Sequence, residues 1–257
     1  MGRAVRWAVV VGLILLFSNL CYYGYQVLIV DGYGSGAPVP TNPNITVDKP
    51  SPSPSAATAS GAVLLAVPFS TQAPLGDWGK HQESCEEANL AQVAAYYSGD
   101  HSTILDRYAA DRSIAQLVAW QIKNWGSEAD LTDQRLGELA SAYYGYDYQV
   151  LHLTDSAMQA QLHAGHPVIL GVTTHGLGNP HYPNYEAHYL QPGYSVSHFV
   201  TVVGYDGSSY ILNDPGITAG RGSGVSYPQL VFAVRNLDEQ HPNLDEGLVM
   251  LVVHLRG

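Results

Sequence analysis

Three residues have the types and the order that nucleophilic catalysis by a thiol requires: Cys85, His198 and Asp214. A cysteine nucleophile needs a base that takes its proton, and the base needs a partner that orients it. The imidazole of His198 would form an ion pair with the Cys85 thiolate, and the Asp214 carboxylate would fix the tautomer of the imidazole. The sequence therefore predicts a Cys-His-Asp site if the fold brings the three residues together.

An acyl-transfer site also needs hydrogen-bond donors where negative charge develops on the substrate carbonyl oxygen. The backbone N–H of Cys85 is one candidate donor. The second candidate is a side-chain amide from the preceding loop, either Gln72 or Gln82. The spacing of these residues leaves both glutamines open.

Small and apolar residues follow Cys85 and predict a helix that ends at Ser98-Gly99-Asp100. Ser84 and Glu87 have the spacing of a capping box at its start. A thiol in the first helical turn lies against unpaired backbone N–H groups, which lowers the thiol pKa. We therefore expect a reactive thiolate. The alternative is that Cys85 is only a small buried hydrophobic residue.

The histidine and the aspartate lie at the ends of a predicted β-hairpin. His198 begins a predicted strand over 198–205, and Asp214 directly follows the next one, 210–213. Asp206-Gly207 in the connection favours a tight turn, so the two strands are expected to pair. Asn213 is an alternative partner for His198. Because neighbouring strand residues point to opposite faces, only one of Asn213 and Asp214 can serve.

The order of the remaining elements indicates an α+β fold, because helices come mostly first and antiparallel strands mostly second. A long loop rich in Gly, Pro, His and Tyr separates two strands at 173–197. Further helices are predicted at 103–123, 132–144 (with Thr132 as N-cap), 155–163 and 228–234. Further strands are predicted at 63–67, 148–153, 167–172 and 247–255.

The N-terminal segment predicts attachment to a membrane. Trp7 to Val30 is a stretch of 24 residues without a charge, and roughly 20 suffice to cross a bilayer. Arg3 and Arg6 precede it, which favours a cytoplasmic N-terminus. We expect an uncleaved anchor at 1–30, with a cleaved, secretory signal peptide as the alternative.

The composition after this segment separates a linker from a domain. Residues 31–61 are rich in Pro, Ser and Gly, which predicts a disordered linker. Residues 62–257 are expected to form one domain outside the cytoplasm. The net charge of −11 argues against a nucleic-acid-binding surface, which would be basic.

Neither a disulfide nor a cofactor is expected. Cys21 lies in the apolar N-terminal segment and Cys85 in the domain, so the two cysteines should not meet. A metal site built from Cys85, His198 and His81 is a weaker alternative, since their spacing fits no standard zinc pattern.

Three motifs, in this order, resemble the papain-like cysteine peptidases of the bacteriocin-processing type, and in particular the double-glycine-leader peptidase-like domains. They are VPFSTQAP with CEEANLAQVAAYY, then HFVTVVGYD, then YILNDPG, within about 67–236. The resemblance implies a papain-like fold in which a Cys-bearing helix packs on an antiparallel sheet carrying His and Asp. It also implies Cys85 as nucleophile, His198 as base, Asp214 as orienting acid and Gln72 as oxyanion glutamine.

The sequence departs from that family in three respects. The bacteriocin-processing members are cytoplasmic and fused to a transporter, so a double-glycine leader substrate is not implied for an outward-facing domain. Gln72 lies 13 residues before Cys85, farther than is usual in papain-like enzymes. Glu86 stands where many relatives carry Gly. Since a carboxylate aimed at the thiol would oppose thiolate formation, we expect Glu86 and Glu87 to point along the helix or to solvent.

The sequence thus predicts a membrane-anchored, extracytoplasmic cysteine peptidase that hydrolyses peptide bonds of a peptide or protein substrate through an acyl-enzyme. A catalytically silent peptide-binding module on the same fold is one alternative, since tyrosines in the long loop would supply contact area. A transglutaminase-like acyl transferase, which uses the same triad, is the other.

Overall fold

The computed structural model describes residues 61–128, 130–179, 182 and 195–257. Every described helix and strand lies in the unit Pro54–Gly257. The predicted anchor, 1–30, and all but the last residue of the predicted linker, 31–61, lie outside the described residues. Within the described ranges, no helix combines the length and the apolar character needed to cross a bilayer.

The described part of the chain alternates between helices and strands. The helices are α1 (Cys85–Tyr97), α2 (Arg107–Trp125), α3 (Asp133–Tyr144), α4 (Asp155–His163), α5 (Thr174–Leu177) and α6 (Tyr227–Gln240). The strands are β1 (Val63–Leu64), β2 (Asp147–His152), β3 (Val168–Thr173), β4 (Ser197–Tyr205), β5 (Tyr210–Asn213), β6 (Arg221–Val225) and β7 (Val249–His254).

The strands form one sheet in the order β2-β7-β3-β4-β5-β6, with β1 paired to β4. Every strand pair described is antiparallel. Helices cover both faces, and successive residues of β3 alternate between them. Val168 and Leu170 pack in a core with residues of α4 and α6, whereas Ile169 packs in a core with residues of α1, α2 and α3. This arrangement confirms the predicted α+β fold.

A buried asparagine ties α1 to the central strand β4. The Nδ2 atom of Asn89 donates to the backbone oxygens of Cys85 and Phe199, at 2.8 Å each. The Thr201 hydroxyl donates to Oδ1 of Asn89 at 2.6 Å. These three bonds fix the first turn of α1, which carries Cys85, against the start of β4, which carries His198.

Several predicted boundaries are confirmed. Helix α1 begins at Cys85 and ends before Ser98. Thr132 is the N-cap of α3, where its hydroxyl accepts a hydrogen bond from the Arg135 N–H. Helix α4 has the predicted bounds.

Other predicted boundaries are wrong. Helix α2 begins at Arg107 rather than at 103, because Asp106 caps it. Helix α6 continues to Gln240 rather than ending at 234. Strand β6 was not predicted, and α5 occupies the start of the predicted loop. Most of that loop lies outside the described residues.

The prediction of a capping box at the start of α1 is wrong. Ser84 occupies the N-cap position, but its side chain makes no capping hydrogen bond. Its hydroxyl instead contacts Nδ1 of His81 at 3.2 Å, and the Glu87 carboxylate accepts a bond from the Gln121 side chain. Tertiary contacts therefore replace the local bonds that the spacing favoured.

Candidate active site

The structure brings His198 and Asp214 together at one end of the sheet. Nε2 of His198 lies 2.8 Å from Oδ1 of Asp214, and both residues are buried. The register pairs Thr201 with Asn213, which places Asp214 just beyond the paired segment. The Asn213 side chain points elsewhere and donates to the backbone oxygen of Val67 at 3.3 Å. Of the two candidate partners for His198, the structure therefore selects Asp214.

The hydrogen bonds around Asp214 assign the tautomer of His198. An ionised carboxylate only accepts hydrogen bonds, so Nε2 of His198 carries the proton that it donates to Asp214. The Tyr182 hydroxyl, 2.7 Å away, and the Gly216 N–H, 3.0 Å away, donate to the same Oδ1 atom. Nδ1 of His198 is thereby left as the acceptor nitrogen, which is the atom that can take a proton from a thiol.

Tyr182 was not predicted to be part of this site. It lies in the long loop and is 6% exposed. Its ring packs edge-on against the His198 imidazole, with centroids 5.8 Å apart. Four tyrosines in that loop gave no means of choosing one, because the choice depends on which of them contacts His198 and Asp214.

Glycines allow the loop after β5 to close tightly around the pair. A Cβ atom on Gly216 would overlap the Tyr182 hydroxyl and would lie 2.9 Å from Cε1 of His198. A Cβ atom on Gly220 would overlap the backbone oxygen of Asp214. The DPG motif therefore has a packing role as well as a turn role.

The Cys85 thiol lies in the first turn of α1, as predicted, but it faces Glu86. Its Sγ atom donates to Oε2 of Glu86 at 3.0 Å, and the residue is 5% exposed. No hydrogen bond joins Sγ to His198 among the described residues. Burial and the Glu86 charge raise the pKa of the Cys85 thiol well above its ordinary value. The expectation that helix position lowers this pKa is therefore wrong, because burial and the carboxylate outweigh the helix dipole.

The expectation that Glu86 and Glu87 point to solvent is also wrong. Glu86 is 1% exposed and Glu87 is 2% exposed, because α2 and the segment before α3 cover the first turn of α1. Oε1 of Glu86 accepts the Leu131 N–H at 3.0 Å, and Glu87 accepts the Gln121 side-chain amide. Burial raises the pKa of Glu86 to about 7.

Gln72 connects two segments of the site. Its Nε2 atom donates to the backbone oxygens of His81, at 2.8 Å, and of Gln82, at 2.9 Å. Its backbone N–H donates to the Pro215 oxygen at 2.9 Å. Both amide hydrogens of Gln72 are thus engaged by backbone, and the Gln82 side chain is exposed. The oxyanion role of Gln72 stays a prediction.

A buried hydrogen-bonded chain holds the segment before Cys85. Nε2 of His81 lies 3.0 Å from Oδ1 of Asp111 on α2, while Nδ1 contacts the Ser84 hydroxyl. Lys80 pairs with the same aspartate at 3.1 Å. Burial lowers the pKa of His81, which favours the neutral ring. His81 is thus engaged on both nitrogens.

Among the described residues, no group of three or more His, Cys, Asp or Glu side chains could hold a metal ion.

Two solved structures of bacterial proteins are similar to this chain. A putative C39-like peptidase from Bacillus anthracis is 19% identical, with a TM-score of 0.48, over 76% of this chain and 98% of its own. Xylellain, a cysteine protease from Xylella fastidiosa, is 14% identical, with a TM-score of 0.39, over 79% of this chain and 88% of its own. Among curated proteins, the comparison found no match.

A family model gives the assignment. The model of the Peptidase_C39 like family matches residues 64–233, well over half of the 257-residue chain. The match begins in β1 and ends in α6, so it contains Cys85, His198 and Asp214. The chain therefore belongs to the Peptidase_C39 like family and is a cysteine peptidase of papain-like fold.

Proposed function

We propose that this protein is a membrane-anchored peptidase that hydrolyses peptide bonds outside the cytoplasm through Cys85, His198 and Asp214. The observation that carries the proposal is the buried His198–Asp214 pair, which leaves Nδ1 of His198 as the free acceptor. The Asn89 bridge holds the Cys85 turn against the strand that begins with this histidine.

The reaction needs the thiol to turn from Glu86 toward His198. The Sγ proton then passes to Nδ1 of His198, and the thiolate attacks the substrate carbonyl carbon. The imidazolium gives that proton to the leaving amine as the C–N bond breaks, which leaves a thioester on Cys85. A water molecule, deprotonated by Nδ1, attacks the thioester, and the released thiol recovers its proton.

Asp214 acts throughout by holding the imidazole. Its Oδ1 atom keeps the proton on Nε2 in the resting enzyme and stabilises the imidazolium that forms during each step. The backbone N–H of Cys85 is the proposed donor to the oxyanion. Gln72 would join it only if its amide exchanged a backbone partner for the substrate oxygen.

The N-terminal segment supports the membrane location. Twenty-four uncharged residues follow Arg3 and Arg6, which favours a single span with the domain on the outer side. In cells, a protease added to intact spheroplasts should degrade the domain. Protection of the domain until the cells are lysed would contradict this orientation.

The test of hydrolysis uses the full chain purified in detergent and a mixture of unstructured peptides, with products read by mass spectrometry. Wild type should cleave, and Cys85→Ser should lose cleavage while keeping its circular dichroism spectrum. Cys21→Ser removes the other cysteine and should cleave as wild type does. Cleavage by Cys85→Ser at the wild-type rate would refute the proposal.

The same assay separates hydrolysis from acyl transfer. In water enriched in oxygen-18, hydrolysis places the label in the new carboxyl group. With an added primary amine, a transferase would instead give an amide product, and its predominance would replace the peptidase assignment by the transferase.

A silent binding module is favoured by one observation, the buried Cys85 thiol that donates to Glu86. It predicts that wild type binds peptides without cleaving them and that Cys85→Ser binds equally well.

A further inference from the structure

Glu86 touches the reacting sulfur and has no part in the triad mechanism. Its Oε2 atom accepts the Cys85 S–H at 3.0 Å. Its Oε1 atom accepts the Leu131 N–H at 3.0 Å. The side chain is 1% exposed, so packing fixes the carboxyl group beside the thiol.

The charge of Glu86 affects the ionisation of Cys85 together with the charges of the groups that face it. From α1 these are Cys85 and Glu87, and from the segment before α3 it is Asp130. Asp130 also accepts the Ser197 hydroxyl of β4 at 2.9 Å, next to His198. The Glu83 carboxyl group interacts with those of Asp130 and Glu128, and burial raises the pKa values of both Glu83 and Glu128. An ionised Glu86 therefore adds a negative charge to a site whose other carboxyls already disfavour a thiolate.

We propose that Glu86 controls the proton on Cys85: as a carboxylate it holds the neutral thiol away from His198, and as a carboxylic acid it donates a hydrogen bond to the thiolate. This inference rests on the proposed function. The structure shows the first state, in which the thiol is the donor.

The proton balance of the second state is simple. One proton is taken up by Oε2 of Glu86, and the Sγ proton passes to Nδ1 of His198. The thiolate then has a hydrogen-bond donor on one side and an imidazolium on the other, in place of a carboxylate at 3.0 Å. Both partners favour the charged sulfur.

This arrangement gives a definite pH dependence. Burial raises the pKa of Glu86 to about 7, so the acid form is present below neutral pH and the carboxylate above it. As the pH rises through this range, Glu86 ionises and the fraction of Cys85 present as thiolate should fall. The thiolate fraction should rise again only at higher pH, where hydroxide deprotonates the thiol. The enzyme should therefore be most reactive on the acid side of neutrality.

The test uses full-length protein that carries Cys21→Ser, so that Cys85 is the one thiol. Alkylation by iodoacetamide is measured from about pH 5 to about pH 9, on either side of the ordinary thiol pKa. The added variants are Glu86→Gln, Glu87→Gln and His198→Ala. The amide of Glu86→Gln mimics the protonated acid at every pH.

The expected result is a change in the shape of the profile. Glu86→Gln should stay within about twofold of wild type near pH 5 and react about tenfold faster near pH 8, since one pKa unit is a factor of ten. Glu87→Gln should follow wild type within about twofold, because Oε1 of Glu87 accepts the Gln121 side-chain amide and Oε2 has no hydrogen-bond partner, so neither atom bonds to the Cys85 thiol. An unchanged profile in Glu86→Gln, or a uniform loss, overturns the proposal.

A second measurement covers the case in which Glu86→Gln does not fold. In the Cys21→Ser protein with Glu86 unchanged, the infrared S–H band of Cys85 should gain intensity as the pH rises through neutrality. The S–H band of an isolated thiol only loses intensity as the pH rises. A band that falls monotonically overturns the proposal. Alkylation rates that are the same with and without His198→Ala at all pH values would instead refute the triad. The failure of the Glu86 proposal and the failure of the proposed function are therefore distinguishable.

Discussion

Nε2 of His198 lies 2.8 Å from Oδ1 of Asp214, although 16 residues separate the two in sequence. The bond commits Nε2 to the carboxylate and leaves Nδ1 for the thiol, so the orientation of the base is set by a residue outside its own strand.

Replacement of Asp214 tests this orientation. Oδ1 accepts three hydrogen bonds, from His198, Tyr182 and Gly216. Asp214→Asn keeps an oxygen at that position and should lower kcat by about tenfold, whereas Asp214→Ala should lower it by about 10²–10³-fold, within the range of general-base catalysis. Steady-state kinetics on one cleaved peptide would measure both. Equal kcat values for Asp214→Ala and wild type would exclude an orienting role.

Gly216→Ala should damage the site without replacing a catalytic side chain. The added methyl group would displace the Tyr182 hydroxyl and would lie 2.9 Å from Cε1 of His198. We expect a fall in kcat of at least about tenfold with α1 intact, because a small misplacement of the base is costly.

Gly224→Ala is the matched control for that substitution. Its Cβ atom would lie 3.9 Å from the Ser209 side chain, which is ordinary contact. It should keep wild-type kcat in the same assay. A similar loss in both alanine variants would show that the effect is a general weakening of the sheet.

Asn89→Ala should lower the free energy of unfolding and thiol reactivity together. It removes the donor to the backbone oxygens of Cys85 and Phe199 and the acceptor of the Thr201 hydroxyl, all at a buried site. Each buried polar group left without a partner costs about 1–3 kcal/mol, so a loss of roughly 2–4 kcal/mol is expected in urea denaturation. Thr201→Val removes only one of the three bonds and should cost less. A stability within error of wild type for Asn89→Ala would contradict the bridging role.

Asp133 should make the domain less stable as the pH rises. Burial, and then the charges of Glu246 and Asp238, raise its pKa in the folded state well above its ordinary value. The folded protein therefore binds more protons than the unfolded chain above the unfolded pKa, and the free energy of unfolding falls as the pH increases. Asp133→Asn should reduce this slope between about pH 5 and about pH 7. Urea denaturation at both pH values would measure it, and an unchanged slope would contradict the account.

The sequence was sufficient for the elements whose pattern is local. The apolar spacing after Cys85 predicted α1, and the two strands joined at Asp206-Gly207 predicted the hairpin that brings His198 near Asp214. Strand β6 was missed because its residues, RGSGV, lack apolar alternation.

Contacts between side chains that are distant in sequence could not be predicted from such local patterns. The direction of the Glu86 carboxyl depends on the Leu131 segment that covers it, and the Ser84 side chain depends on His81 and Asp111. Tyr182 reaches Asp214 from a different loop. In each case the deciding partner is remote in sequence, and no local propensity points to it.

The most direct test of the triad is the covalent intermediate itself. Full-length protein is mixed with an activated peptide ester, quenched at short times and mapped by mass spectrometry. We predict an acyl group on Cys85 that forms and decays in wild type, forms about 10²–10⁴-fold more slowly in His198→Ala, and is absent in Cys85→Ser. Ester cleavage without an adduct on Cys85, or acylation at the same rate in His198→Ala, would contradict it.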